Sequence, residues 1–216
     1  MEPLDQIANT IALTMGVAWA SGINLYAAIL ILGFFGATGS IALPATLQIL
    51  SDPMVITAAG VMYFVEFFTD KIPGVDTGWD TVHTFIRIPA GALLAAGAVG
   101  DVNPAVALTA AILGGGLAAG AHTVKSGSRV IINSSPEPFT NWAASVAEDI
   151  AVIGGLWTAL HYPWLFLVLM IFFLGLMIWL LPKIWRGIKK IFGYLGRLFK
   201  HGRKDEFSLD SKEVNS

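Results

Sequence analysis

The chain has no cysteine, and no lysine or arginine before Lys71. The first absence excludes disulfides and thiolate metal sites. The second bears on the opening "MEPLDQIANT", which carries acids but no base and so lacks the charged front of a secretory signal peptide. The apolar stretch behind it reads as a retained membrane helix. Charge is scarce everywhere: 13% of the 216 residues are charged, against about a quarter in a soluble domain. No serine elbow, HExxH, Walker loop or CxxC occurs, so neither an enzyme nor a resident cofactor is expected. Nothing in the sequence asks for nucleic acid.

What is present is apolar. Hydrophobic residues make up 55% of the chain, with 23 glycines, many inside apolar runs, and the mean hydropathy is +0.69. That pattern names the bilayer as solvent and suits closely packed membrane helices, with homo-oligomerisation a further use for the glycines. Seven apolar segments are expected, over roughly 6–20, 24–39, 53–69, 82–99, 104–124, 141–160 and 163–182. Several are shorter than the ~20 residues that cross a bilayer, which points to half-helices or re-entrant pieces.

Threading the chain with its N-terminus outside puts Lys71 and Arg87 in one inner loop and Lys125 and Arg129 in another. Every later base follows segment seven, so all 13 Lys and Arg fall on one side. The positive-inside rule makes that side the cytoplasm. A re-entrant hairpin of the first two segments is expected to change the side of the N-terminus alone.

"SGINLYAAILILGFFGATG" resembles "GDVNPAVALTAAILGGGLAAG", each opening on a helix break with an asparagine, Asn24 and Asn103. Glu66 and Glu148 follow at similar distances. Three segments per copy would enter from opposite sides, the arrangement of inverted-repeat transporters whose sites lie at broken helices. The expected fold is therefore an all-α polytopic membrane protein with a membrane domain over 1–182. Its repeats cover about 6–80 and 82–160, with an extra helix at 163–182. Residues 183–204 read as a basic amphipathic helix on anionic lipid headgroups, with Pro182 permitting the turn out of the membrane. A partner-protein helix is the other reading of that segment. Residues 205–216 read as a disordered tail.

Candidate site residues are the acids such a chain can least accommodate. Glu66 and Asp70 share a helix face one turn apart, and repel unless one is protonated or a cation lies beside them. Glu148 and Asp149 stand two turns inside segment six and both need polar neighbours. Arg87, on one face with Asp80 and His83, either neutralises Glu66 or binds an anionic group. Asn24 and Asn103 offer oxygens at the breaks. Asp70, Asp76 and Asp80 around "KIPGVDTGW" form a hard-cation candidate, although loop solvation or helix capping by Asp80 explains them as well.

The stretches "FFTDKIPGVDTGWDTVHTFIRIPAGALLA" and "SSPEPFTNWAASVAEDIAV" resemble an uncharacterised bacterial integral-membrane family, catalogued as domain of unknown function 4126. The resemblance rests on Asp70-Lys71-Ile72-Pro73 with Asp76 and Asp80, Pro136-Glu137-Pro138, and Glu148-Asp149. It covers about residues 10–160 and leaves segment seven as an addition to a six-segment core. It implies a location in the cell's inner (plasma) membrane and no particular substrate. The functional expectation is a small transporter or channel linked to a proton or cation, with a lipid-handling (flippase- or scramblase-like) or assembly protein as the alternative.

Overall fold

The computed structural model describes residues 3–134 and 138–213; of residues 138, 191, 192 and 194–213 it describes the backbone alone. Six α-helices and one 3-10 helix follow in order: α1 Pro3–Ala37, the 3-10 segment Ala45–Ser51, α2 Pro53–Thr69, α3 Val75–Ala98, α4 Pro104–Ile132, α5 Pro138–His161 and α6 Pro163–Glu213. Four of the helices are long and apolar enough to cross a membrane. The 3-10 segment and α2, bent by 66°, supply a fifth span if taken together. The protein is an all-α polytopic membrane protein.

The first two expected segments are one element, α1, broken at Asn24, whose φ of −146° and ψ of 94° leave the helical region. Its two ends meet the same place. Asp5 accepts a hydrogen bond from Trp164 Nε1 at 3.1 Å, and Phe35 packs edge-on against His161. A straight helix would separate positions 5 and 35 by about 45 Å, so α1 doubles back at Asn24. The second arm, about 20 Å long, does not cross a bilayer by itself. With two arms from α1 the described residues form seven legs, of which four helices and the bent pair pass as candidate spans. A hairpin and a pair of crossings both return the chain to its starting side, so the N-terminal side does not change.

α1 packs on every other element and is 72% buried over its apolar window, whereas that of α6 is 11% buried and faces outward. Small residues make the centre accessible to α1. Gly22 lies against Ala118, and a Cβ there would collide with the Ala118 carbonyl. The α3–α4 pair packs the same way in one half, Gly91 against Ala118 and Gly114 against Ala95. These glycines are thus used within the chain. In the other half the same two helix faces turn polar, carrying Asp76, Asp80, His83 and Arg87 on α3 and His122, Lys125 and Arg129 on α4, all buried.

Two expected boundaries are corrected by that polar half. α3 begins at Val75, behind Gly74 with φ +85°, so Asp80 lies inside the helix and does not cap it. α4 runs on to Ile132, so Lys125 and Arg129 are helix residues and not loop residues. Burial of Lys71, Arg87, Lys125 and Arg129 takes four bases out of the loop count, and the orientation argument then rests on the bases from Lys183 onward. Pro182 does not end the helix: α6 continues through it. A proline removes one helical donor, which a long helix tolerates. Trp185, Arg186, Ile188, Lys189 and Lys190 belong to this continuous helix, while the side chains of Phe192, Leu195, Arg197, Phe199 and Lys200 lie outside the described residues.

Candidate ion site

The break in α1 creates the first part of the site. Asn24 Oδ1 accepts from Ala27 N at 2.9 Å and so caps the second arm. Ala27 N is the donor that an unbroken helix would give to the Ile23 carbonyl. That carbonyl instead accepts from Lys125 Nζ of α4 at 3.1 Å. Asn24 Nδ2 donates to Asp149 Oδ1 of α5 at 3.0 Å, which ties the hairpin turn to the partner carboxylate of Glu148.

Around Lys125 the predicted acids converge. Its ammonium lies 2.7 Å from Asp70 Oδ2, 3.3 Å from Glu66 Oε1, 3.7 Å from Glu148 Oε2 and 3.8 Å from Asp80 Oδ1. The cation required between Glu66 and Asp70 is therefore a lysine. Arg87 donates to Glu66 Oε1 at 2.6 Å and to Asp80 Oδ1 at 2.8 Å. Glu66 is fully buried, so it does not reach water at the helix end. Arg129 donates to Glu148 Oε2 at 2.6 Å, to the Asp70 and Asn141 carbonyls, and to the Asn141 side chain. Glu66 and Glu148 thus share one network through Lys125.

Hydrogen-bond logic fixes one histidine tautomer beside Arg87. A guanidinium only donates, so His122 Nδ1, 3.2 Å from Arg87 Nη1, is an acceptor. The proton is then on Nε2, which donates to Thr84 Oγ1 at 2.7 Å. His83 Nδ1 donates to the Trp79 carbonyl at 2.9 Å, and its Nε2 shares a hydrogen bond of 3.1 Å with the Tyr26 hydroxyl.

The remaining predicted residues lie elsewhere. Asn103 is exposed and caps α4 through Ala105 N at 2.9 Å, at the end opposite the network. Asp76 is held by Gly74 N, Thr77 N and Asn133, Asp70 by Lys125 and Asp80 by Arg87. The three aspartates therefore do not form one oxygen cage, and no group of three or more His, Asp or Glu is spaced to hold a metal among the described residues. Lys71 turns inward to the Phe67 carbonyl and Ser145, with its ammonium 3.0 Å above the Phe67 ring. Lys125 and Arg129, expected in a loop, are buried, and so is His122, which the sequence did not single out. Their signal was present in "HTVKSGSR", where they repeat the i, i+3, i+7 spacing of Asp80, His83 and Arg87.

Two features mark the network as more than a set of salt bridges. The seven residues joined by ion pairs are four carboxylates (Glu66, Asp70, Asp80 and Glu148) and three bases (Arg87, Lys125 and Arg129), one negative charge in excess. Glu66 Oε2, Asp70 Oδ1, Asp80 Oδ2 and the neighbouring Asp149 Oδ2 are buried without a donor. Buried polar atoms are nearly always partnered, so the acids have acceptor capacity left for a proton, water or ion.

A family model, "Domain of unknown function (DUF4126)", matches residues 11–183. The chain belongs to this family. The match extends through the expected seventh segment, so the apolar part of α6 belongs to the family's domain and is not an addition to it. Of the residues carrying the resemblance, 135–137 lie outside the described residues, while Asp70, Asp80 and Glu148 all enter the ion network and Asp149 adjoins it. Comparison with curated proteins and with solved structures finds no match in either.

Proposed function

We propose that this DUF4126 member is a small integral-membrane transporter linked to a proton or a cation, with the network around Lys125 as its ion site. The observation that carries this reading is the excess of one carboxylate charge, buried beside a broken helix. An uncompensated charge within a membrane is costly, and a proton or small cation is the simplest partner for it. Carbonyls freed by a helix break are a recurring device for holding such ions. The buried network favours alternating access over an open channel. Of its acids, Glu148 has the most exposed side chain, at 18%, and is the natural point of entry. The site is inherited from both halves of the chain, in keeping with a 3+3 organisation. The basic part of α6 then faces the cytoplasm, and both ends of α1 lie on the outer side of the inner membrane.

The test is ion flux in proteoliposomes carrying a trapped pH- or cation-sensitive dye. Wild type should dissipate an imposed gradient at least tenfold faster than Glu148→Gln. Equal rates in the two proteins, or wild-type rates no faster than empty vesicles, would remove the proposal.

One observation favours a second reading. A groove of about 440 Å³ between α3, α4 and α6 is lined by Thr77, Thr81, Thr84, Thr123 and Ser126 on one side and Trp185 on the other. Lys189 lies 5.2 Å from the Trp185 ring. Hydroxyls, an interfacial tryptophan and a lysine suit an anionic lipid headgroup. Deleting residues 183–216 separates the readings: the transporter keeps its ion flux, whereas a lipid-handling protein loses its activity.

A further inference from the structure

Five hydroxyls line the groove between α3, α4 and α6, and each already donates its proton. On α3, Thr81 donates to the Thr77 carbonyl at 2.7 Å, Thr84 to the Asp80 carbonyl at 3.0 Å and Thr77 to Asp76 Oδ1 at 3.3 Å. On α4, Thr123 donates to the Ala119 carbonyl at 2.7 Å and Ser126 to the His122 carbonyl at 2.8 Å. A carbonyl only accepts, so the direction of these bonds is fixed, and a hydroxyl with its one proton spent keeps two lone pairs. Thr77 and Thr84 use one of theirs to accept from Asn133 and His122. Thr81, Thr123 and Ser126 keep both. The groove therefore presents acceptors, and a ligand seated on this wall must bring N–H or O–H donors. A phosphate diester alone brings none.

Charge is arranged along the same direction. Behind the hydroxyls stand Asp76, bonded to Thr77, and the buried network with its one carboxylate in excess. On the opposite wall α6 contributes Trp185, and Lys189 Nζ lies 5.2 Å from that ring. The groove thus runs from an acceptor wall backed by acids to a basic rim. A zwitterion with its ammonium at the wall and its anion at the rim matches both ends. The volume of about 440 Å³ is that of a small-molecule site, and Leu181, Ile184 and Ile188 make the α6 side of it apolar.

We propose that this groove binds the phosphoethanolamine headgroup of a membrane lipid, its ammonium on the Thr81, Thr123 and Ser126 oxygens and its phosphate at Lys189. An ethanolamine ammonium has three N–H donors, all of which choline has lost to methyl groups. Phosphoglycerol brings O–H donors but no positive charge for the wall backed by acids. The site rests on the groove of the lipid-handling reading and names the lipid. Ion transport plays no part in it.

The experiment follows lipid bound to the full-length protein in detergent by native mass spectrometry. The probes share their acyl chains: phosphatidylethanolamine, its N-methyl and N,N-dimethyl forms, phosphatidylcholine and phosphatidylglycerol. The expected result is saturable binding that weakens with each methyl group, by about tenfold in Kd from ethanolamine to choline. Phosphatidylglycerol should also bind more weakly than phosphatidylethanolamine. Thr81→Val/Thr123→Val/Ser126→Ala removes the lone pairs with little change of volume. It should erase the preference for ethanolamine over choline while Tm stays near that of wild type, because Thr81 and Thr123 are exposed. Lys189→Gln should weaken both lipids alike. Equal binding of the ethanolamine and choline lipids by wild type would overturn the proposal, and the methyl series needs no variant to fold. So would phosphatidylglycerol binding as tight as phosphatidylethanolamine or tighter, or a folded triple variant that keeps the preference. Binding is read without lipid movement, so a protein that binds this lipid and moves none loses the lipid-handling reading alone.

Discussion

Arg87 is the residue on which the polar half of the α3–α4 interface depends. It is fully buried and joins Glu66 of α2 to Asp80 of its own helix while holding His122 in one tautomer. Removing one partner of a buried ion pair costs about 3–5 kcal/mol, because the other charge is left behind. Arg87→Met should therefore lower Tm by about 10 °C, and adding Glu66→Gln to it should restore a good part of the loss. A single variant as stable as wild type would mean that the pair contributes nothing. The arginine's role was legible in the sequence, since Glu66 and the Asp80–His83–Arg87 row stand out in apolar surroundings. Lys125 and Arg129 were not legible, because charge was read as the end of segment five. Charges end a membrane helix only when they have no buried partner, and here the partners come from helices distant in sequence.

At the scale of elements, α1 shows where sequence periodicity stops being informative. An apolar run of small residues forms a helix whether it is straight or folded back, and the pattern changes little at Asn24. The break is stabilised by tertiary partners: Asp149 for the asparagine amide and Lys125 for the Ile23 carbonyl. The sequence supports a helix break there, but not its depth or its partners. Absence of native cysteine makes the hairpin directly testable. Single cysteines at Asp5, at Ser40 and at Ser134 should divide into two classes toward a membrane-impermeant maleimide in oriented vesicles, the first two from one side and the third from the other. Labelling of positions 5 and 40 from opposite sides would contradict the hairpin.

For the molecule as a whole, apolar packing and charge are separated by depth. Small residues bring α1, α3 and α4 together in the apolar half, and this close packing holds the polar half in register around Lys125. The all-helical polytopic class was readable from composition alone, and so was the clustering of acids. The convergence of Glu66 and Glu148 depended on α4 supplying the base between them. The central claim is that this network carries one charge in excess and is completed by an exchangeable proton or cation. The most direct measurement is thermal stability of the purified protein across pH and a cation panel, with Glu148→Gln beside wild type. If a proton completes the site, wild-type stability falls as pH rises, because the folded state then loses a bound proton that the unfolded chain does not need. If a cation completes it, stability falls when that ion is withdrawn. Either dependence should be flattened in Glu148→Gln, which removes the excess charge. Two proteins of equal stability, both indifferent to pH and to every cation, would contradict the account.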